Sequence, residues 1–182
     1  MRHINIIRSI LLIILTFLIT SCSNNSAMKP EDFKNKEPRL VIEEYMTGNV
    51  KAWGVLQNRS GKVTRQFSAD LNGTWDGKQL ILKEKFNWDD GEVQDREWKI
   101  DKIDEHNYEG TAGDVVGKAK GFSYGPAFKF EYVLLVPVKG KELKITFDDW
   151  IFKQDERVAI NRATMTKFGF KVAELTVVFV KD

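Results

Sequence analysis

The sequence predicts an all-β fold, an antiparallel meander closed into a barrel of about 8–10 strands. The first observation is a series of turn motifs at 58–61, 76–77, 89–91, 104–107, 139–140, 154–156 and 169. The second is that the segments between these turns are rich in aromatic and β-branched residues, and in several of them polar and apolar residues alternate. Closure into a barrel removes the unpaired edges that an open sheet would expose, and a β-sandwich is the alternative.

The N-terminal segment predicts a signal peptide over residues 1–21, followed by a lipidated cysteine. Two arginines precede an almost wholly aliphatic stretch at 10–19, and small residues lead up to Cys22. The sequence Leu-Ile-Thr-Ser-Cys resembles the lipobox of bacterial lipoproteins, in which the cysteine thiol receives a diacylglycerol. Ser23, rather than an aspartate, follows the cysteine. By resemblance to lipoprotein sorting rules, this predicts the periplasmic face of the outer membrane.

An uncleaved transmembrane helix is the alternative for this segment. The uncharged stretch covers only residues 9–22, whereas a helix that spans a membrane needs about 20 apolar residues. Residues 22–38 are polar and contain Pro30 and Pro38. They predict a flexible tether between the lipid and a barrel domain at 39–182.

Composition excludes several classes of site. The chain has 28 Lys and Arg and 26 Asp and Glu, and the predicted signal peptide contains the two extra basic residues. The mature chain is therefore predicted to be neutral and not to bind nucleic acid. Cys22 is the only cysteine, so we expect no disulfide within the chain. We expect no metal and no cofactor, because the adjacent Asp148 and Asp149 point to opposite faces of a strand and no histidine or cysteine lies beside them.

The segments between the turns define the candidate strands. They lie at 50–58, 62–75, 79–88, 93–103, 107–112, 115–123, 127–137, 142–153, 157–168 and 170–180. Residues 40–47 are compatible with either a short helix or a first strand. Trp53, near the start of the first long strand, is expected to close the floor of the barrel.

The turn at 89–91 brings charges onto an apolar face. A three-residue loop with glycine in the left-handed conformation forms a type I turn with a bulge, and this register places Glu84 opposite Arg96. The same face carries Trp88 and Trp98. Because a lone buried charge is costly, the pair is either a structural ion pair or a grip on the carboxylate or phosphate of a ligand whose chain contacts the two tryptophans. These four residues are the first ligand-binding candidates.

Small residues recur from 113 to 127 at the spacing of one strand face. Glycines at 113, 117, 121 and 125 are spaced by four, and Ser123 shares their face. They indicate a bent or closely packed strand, or else the wall of a ligand cavity that would include Ser123. Residues 121–125 also match the G-x-S-x-G motif of serine hydrolases, but no helix pattern and no histidine follow, which excludes an esterase.

A second polar group is expected across the turn at 154–156. The turn brings Asp149 close to Asn161 or Arg162. Salt-bridged structural residues are the default interpretation, and Arg162 is retained as a second candidate for binding an anion.

Four segments carry a family resemblance: FNWDDGE at 86–92, GTAGDVVG at 110–117, FDDW at 147–150, and 161–169. In this order, within residues 38–182, they resemble an uncharacterised family of Gram-negative lipoproteins, domain-of-unknown-function family 3833. The resemblance implies a lipocalin- or calycin-like barrel without an established activity or catalytic residue set. Neighbouring cyclopropane-fatty-acid-synthase-like genes in this family imply a link to fatty-acyl metabolism.

The leading hypothesis is a lipid-anchored, periplasm-facing barrel that binds a fatty-acyl-like apolar molecule or hands it over at the membrane. The alternative is a structural or assembly lipoprotein that docks a protein partner through its outer surface, which predicts an exposed apolar patch. A calycin-like enzyme acting on lipids, with Glu84, Asp114 or Tyr124 as acid or base, ranks third. A cavity of about 300 Å³ or more, lined by the small residues and Arg96, would favour the first hypothesis.

Overall fold

In the computed structural model, which describes residues 27–138 and 140–182, ten antiparallel strands form a closed barrel. Each strand pairs with the next along the chain, and the last pairs with the first. The predicted all-β meander and its closure are confirmed, and the sandwich alternative is wrong. The strands are β1 (Gly48–Asn58), β2 (Val63–Trp75), β3 (Gln79–Trp88), β4 (Val93–Lys102), β5 (Asn107–Thr111), β6 (Ala119–Tyr124), β7 (Ala127–Val138), β8 (Lys141–Lys153), β9 (Val158–Lys167) and β10 (Phe170–Lys181).

Alternation along the strands separates the interior from the outer wall. Successive side chains of a strand point to opposite faces, so every second residue enters the barrel. On β7, Phe128, Phe130, Tyr132 and Leu134 are buried inside, and the residues between them are more exposed. The same period on the other strands gives one continuous apolar core along the barrel axis.

The two ends of the barrel differ. The β2–β3, β4–β5, β6–β7 and β8–β9 turns lie at one end, which a short helix, α1 (Ile42–Met46), covers. We call this the closed end and the opposite end the mouth. At Gly73 a Cβ atom would lie 2.0 Å from the Met46 carbonyl oxygen, so glycine lets the helix approach β2.

Hydrogen bonds attach α1 to the last strands. The Tyr45 hydroxyl donates to the carbonyls of Arg157 and Phe179, at 2.8 and 3.2 Å. The Lys181 ammonium donates to three carbonyls at the end of the helix, those of Glu44, Tyr45 and Thr47. A cation at this position satisfies carbonyls that have no partner within the helix. Of residues 40–47, which the sequence left open between helix and strand, positions 42–46 form this helix.

The expected role of Trp53 is wrong. Its side chain is half exposed, on the outer wall of β1, because the neighbouring Ala52 faces inward. Ile42 and Met46 of α1 form the floor instead.

Part of the predicted tether packs against the barrel. Residues 30–33 form a 3₁₀ turn whose Phe33 ring lies 5.9 Å from Trp150 and 5.4 Å from Phe152 on the outer wall of β8. Gly125, at a φ of 51°, lies against the carbonyl oxygens of Phe33 and Lys36. The chain therefore joins the barrel near its closed end.

The predicted strand at 115–123 is wrong over its first half. Residues 113–117 form a turn, and β6 begins at Ala119. The glycines therefore share no single strand face. At Gly121 a Cβ atom would lie 2.9 Å from both Phe128 and Tyr108, which confirms the close-packing interpretation of that glycine.

The predicted signal peptide and Cys22 lie outside the described residues. Within the described part of the chain, no helix is long and apolar enough to cross a membrane.

Candidate functional site

The barrel encloses a cavity of about 290 Å³. Ile42 and Met46 of α1 line its floor, and Leu56 and Val136 line it near the mouth. Its wall is mostly apolar, which suits a ligand with a hydrocarbon body. Because α1 blocks the closed end, a ligand would enter through the mouth.

Aromatic side chains surround the middle of the cavity. Trp98 packs against Phe130 and Tyr132 at centroid distances of 5.0 and 5.3 Å, and Tyr132 stacks on Phe147 at 5.0 Å. Aromatic groups bury a large area with little conformational freedom, so they give the cavity rigid walls. A second aromatic group, Phe67, Phe86 and Trp88, lies nearer the mouth.

One charged group interrupts this apolar wall. Arg96 on β4 donates from Nε and Nη2 to Oδ2 of Asp114, at 3.0 and 2.8 Å. Its Nη1 lies 3.8 Å from Oε2 of Glu84 on the neighbouring β3. Asp114 comes from the β5–β6 loop rather than from a strand. The loop thus supplies the carboxylate that engages the guanidinium most closely.

A further carboxylate faces the cavity from β8. Asp149 accepts hydrogen bonds from the Tyr132 hydroxyl, at 2.9 Å, and from the Asn161 side-chain amide. The Asn161 amide also donates to the Trp150 carbonyl, at 3.1 Å. All three side chains of this group line the cavity.

Burial changes the proton affinity of both groups. Removal from water raises the pKa of Glu84 to about 7, although the nearby Arg96 opposes the rise. Burial likewise raises the pKa of Asp149 to about 6, against the hydrogen bonds from Asn161 and Tyr132. Burial alone would lower the pKa of Arg96, but Glu84 and Asp114 outweigh it and raise that pKa.

Two oxygen atoms of the charged group have unused acceptor capacity. Oε2 of Glu84 and Oδ1 of Asp114 are buried and have no hydrogen-bond partner among the described residues. Both residues line the cavity. A buried acceptor without a partner is costly, so these atoms are where a polar ligand group would gain most.

A cation and an aromatic ring flank the mouth. The Arg65 guanidinium lies 4.0 Å from the centre of the Trp88 ring and donates to Asp90 and Glu92, at 2.8 and 2.9 Å. The two carboxylates are exposed, on the β3–β4 turn. This pairing holds Trp88 and the turn beside the entrance.

Comparison with known proteins establishes the family. A model described as "Protein of unknown function (DUF3833)" matches residues 16–181. The chain belongs to the DUF3833 family. The resemblance inferred from its four segments is thereby confirmed. No curated protein sequence matches this DUF3833 chain.

Solved structures share the DUF3833 barrel fold at low sequence identity. An S-type phycobiliprotein lyase from Guillardia theta is 11% identical, with a TM-score of 0.57 over 77% of this chain and 90% of the lyase. A protein of unknown function from the DUF3598 family of Nostoc punctiforme is 12% identical, with a TM-score of 0.57 over 81% of this chain and 51% of that protein. The DUF3833 chain thus spans about half of the second protein. These likenesses establish a lipocalin- or calycin-like fold.

Four of the predicted ligand-binding residues line the DUF3833 cavity: Glu84, Arg96, Trp88 and Trp98. The predicted register is confirmed, since Glu84 pairs with Arg96 across β3 and β4. The predicted grip of Arg96 on an anion is weakened, because the guanidinium is already engaged by Asp114.

The other two candidates lie outside the DUF3833 cavity. The Ser123 hydroxyl is buried at the closed end, where it donates to the Leu40 carbonyl at 3.0 Å and helps to hold the segment before α1. Arg162 lies on the outer wall and pairs with Glu174 at 3.2 Å. Its neighbour Asn161 faces inward, so the alternation of the strand directs Arg162 to solvent.

Sequence reasoning did not select several residues of the DUF3833 site. The predicted proximity of Asp149 to Asn161 is confirmed by their hydrogen bond, although the sequence favoured a structural role for this group. Tyr132 shares its strand face with buried aromatic residues, and that alternation is the signal that could have found it. Asp114 reaches the site from a loop, which no periodicity reveals. Among the described residues, no group of three or more His, Cys, Asp or Glu side chains could hold a metal ion.

Proposed function

We propose that this protein is a lipid-anchored lipoprotein on the periplasmic face of the outer membrane, whose barrel binds one fatty-acyl-like apolar molecule and hands it over. The observation that supports this proposal most is the cavity of about 290 Å³, which α1 closes at one end and apolar side chains line. This volume is at the lower end of the range for ligand pockets, which begins at about 300 Å³. A cavity of this size suits one slender molecule.

The apolar wall supplies the binding free energy. A ligand that leaves water gains about 25 cal/mol for each Å² of apolar surface that it buries. The aromatic walls around Trp98 and Trp88 are held by edge and stacking contacts with their neighbours, so little ordering is needed when a ligand enters. The phycobiliprotein lyase, whose fold is similar, is an example of this fold in a protein with an assigned role.

The direct test is whether the released protein carries a bound molecule. Residues 23–182, exported behind a signal peptide that is cleaved without lipidation, would be purified without detergent and analysed by native mass spectrometry. We expect one apolar molecule for each chain, released on denaturation. A chain that is free of ligand and gives no change in tryptophan fluorescence with any alkyl compound would contradict the proposal.

Two adjacent residues of β10 provide a matched pair of variants. Val177 faces the cavity and is buried, whereas Val178 lies on the outer wall and is partly exposed. Val177→Trp places an indole in the cavity and is expected to abolish binding, while Val178→Trp should bind as the unmodified protein does. Measured melting temperatures would check that both variants fold. Equal binding by the two would place the ligand elsewhere.

The lipid anchor needs a separate test. Labelled palmitate supplied to cells is expected to enter the unmodified protein and to be absent from the Cys22→Ser variant. Fractionation should find the unmodified protein in the outer membrane and should not find the Cys22→Ser variant there. Recovery of the variant in the outer membrane would argue against anchoring through this residue.

Docking of a protein partner through the outer surface is the second candidate function. It is favoured by Phe168 and Phe170 at the β9–β10 turn, which are 89% and 69% exposed. A photoreactive residue at Phe168 should then give a discrete cross-linked protein in cells, and one at the exposed Lys85 should not. Absence of any specific adduct at Phe168 would remove this candidate.

A further inference from the structure

The polar part of the cavity has an excess of acceptors. Two guanidiniums line the cavity, those of Arg65 and Arg96, against four carboxylates, those of Glu84, Glu92, Asp114 and Asp149. Asp149 accepts hydrogen bonds from a neutral hydroxyl and a neutral amide, which do not cancel its charge. With all groups ionised the interior would carry more negative than positive charge, which is unfavourable away from water.

The guanidinium of Arg96 is poorly placed to receive a ligand anion. Nε and Nη2 are both directed at Asp114, and the third nitrogen lies nearest to Glu84. A carboxylate ligand would have to displace one of these partners and then sit beside the other. Like charges at such short distances destabilise each other. Arg96 therefore neutralises the wall rather than offering a free positive charge.

Beside Arg96, the buried polar atoms without a partner among the residues that the structure describes are acceptors, whereas Nε of Arg65, a buried donor that also lacks one, lies near the mouth. Oε2 of Glu84 and Oδ1 of Asp114 are buried acceptors without a partner among residues 27–138 and 140–182. Both belong to side chains that line the cavity. A donor on the ligand would satisfy them, and a cationic donor would also offset the excess negative charge.

Resting on the proposed function, we infer that the polar end of the ligand is a hydrogen-bond donor, a protonated amine in preference to a hydroxyl, and not a carboxylate. The hydrocarbon body then lies along the aromatic walls. The donor end contacts the carboxylate oxygens of Glu84 and Asp114, and the nearby carboxylate of Asp149 also attracts a positive charge there.

Three probes with the same alkyl chain test this inference on the unlipidated protein, residues 23–182: octylamine, octanol and octanoate. Binding is followed by the fluorescence of the cavity tryptophans Trp88 and Trp98. We expect octylamine to bind at least about tenfold more tightly than octanoate, with octanol between them. The ammonium and the hydroxyl can both donate to the carboxylates, the charged ammonium more strongly, whereas octanoate carries a like charge and no donor. Octanoate binding as tightly as octylamine would overturn the inference and leave the proposed function standing. Failure of all three to bind would overturn both.

Dependence on pH separates this preference from general hydrophobic binding. The titratable or charged groups that face the ligand end are Glu84 on β3, Arg96 on β4, Asp114 in the β5–β6 loop, Tyr132 on β7 and Asp149 on β8. Octylamine stays protonated from pH 5 to 8, while Glu84 and Asp149 lose their protons in this range. The affinity for octylamine should rise with pH, and it should rise more steeply than that for octanol, because only the amine carries a positive charge. A falling affinity for octylamine would contradict the inference.

A matched substitution identifies the group responsible. Glu84→Gln keeps the shape of the side chain and removes its charge, so the preference for octylamine over octanol should shrink severalfold. Glu97→Gln on the outer wall of the same hairpin should leave the preference unchanged, because Glu97 is exposed. Equal effects of the two variants would assign the selectivity to general charge rather than to Glu84.

Discussion

At the scale of single residues, Glu84 makes the stability of the barrel depend on pH. Its pKa rises from 4.5 to about 7 because the folded chain buries it. A carboxyl with a higher pKa in the folded state binds its proton more tightly there, so the free energy of unfolding falls as the pH rises through this window. Asp149, with a pKa raised from 3.8 to about 6, acts in the same direction.

We therefore expect the ligand-free protein to be less stable at pH 8 than at pH 5. Glu84 contributes up to about 3 kcal/mol to this difference, at about 1.4 kcal/mol for each pH unit. Urea denaturation at several pH values measures it. Glu84→Gln should flatten the dependence, and Glu97→Gln should leave it as it is. Stability that increases over this interval would show that Glu84 is not desolvated as described.

Arg96 is the residue whose loss should cost most. Arg96→Leu leaves the buried carboxylates of Glu84 and Asp114 without their counter-charge, which typically costs about 3–5 kcal/mol. Arg162→Leu, the same change on the exposed outer wall, removes only a surface pair worth about 0–1 kcal/mol. Chemical denaturation compares the two variants. A similar small loss in both would mean that Arg96 is fully hydrated.

The same residues show what a sequence can reveal of the site. The turn at 89–91 determines the register, and the register places Glu84 beside Arg96 on the apolar face. Arg162 was the predicted candidate, but its neighbour Asn161 is the residue that faces the cavity. The sequence did not determine the pairing across the turn at 154–156 to within one residue, and a shift of one residue reverses the face of each side chain. Asp114 was a candidate only as the acid or base of an enzyme, and its contact with Arg96 could not be predicted because it depends on how a loop folds back over the barrel.

At the scale of elements, α1 illustrates the limit of periodicity. The helix has only five residues, too few to show a helical repeat, so residues 40–47 were compatible with helix and strand alike. Tertiary contacts determine it: the Lys181 ammonium and the Tyr45 hydroxyl hold it across the closed end. The strand predicted from residue 115 was wrong at its start because Val115 and Val116 favour β structure, whereas in the fold Val115 makes only one isolated bridge, to Leu134.

Gly73 tests how closely α1 must pack. In Gly73→Ala the new methyl group would overlap the Met46 carbonyl oxygen, so the helix must shift outward. We expect a loss of about 1–3 kcal/mol, as for other overpacked sites, and a lower affinity for the alkyl probes because the cavity floor moves. Gly113→Ala is the control, since a Cβ atom there meets no heavy atom within 4 Å. Unchanged stability in Gly73→Ala would show that α1 is loosely attached.

At the scale of the whole molecule, the topology was predictable and the cavity was not. Regular turns and alternating strands suffice for a closed meander, because each strand pairs with its neighbour in the chain. The cavity depends on how the side chains of ten strands and one helix fill a common interior, which no single strand determines. Aromatic residues that could have filled the barrel instead line an open space.

The position of the N-terminal segment also predicts how the barrel is oriented on a membrane. Phe33 packs beside Phe152, near the β8–β9 turn at the closed end. From Cys22 to Lys29 is 29 − 22 = 7 residues, which reach at most about 25 Å when fully extended. The 12-residue β10 runs from mouth to closed end, which corresponds to a barrel height of about 30 Å once strand tilt is included. Under the proposed anchoring, an acyl group on Cys22 would therefore hold the closed end nearer the bilayer and leave the mouth facing away from it.

Fluorescent labels at the two ends can test this orientation, because an acylated Cys22 leaves no other thiol in the chain. In vesicles that contain nitroxide-labelled lipid, a label on Glu105→Cys, in the β4–β5 turn at the closed end, should be quenched strongly. A label on Phe168→Cys at the mouth should be quenched weakly. The reverse pattern would show that the exposed phenylalanines contact the lipid and that the ligand passes directly into the membrane. The expected pattern instead requires an acceptor in the periplasm, because the cavity then opens away from the bilayer that carries the anchor.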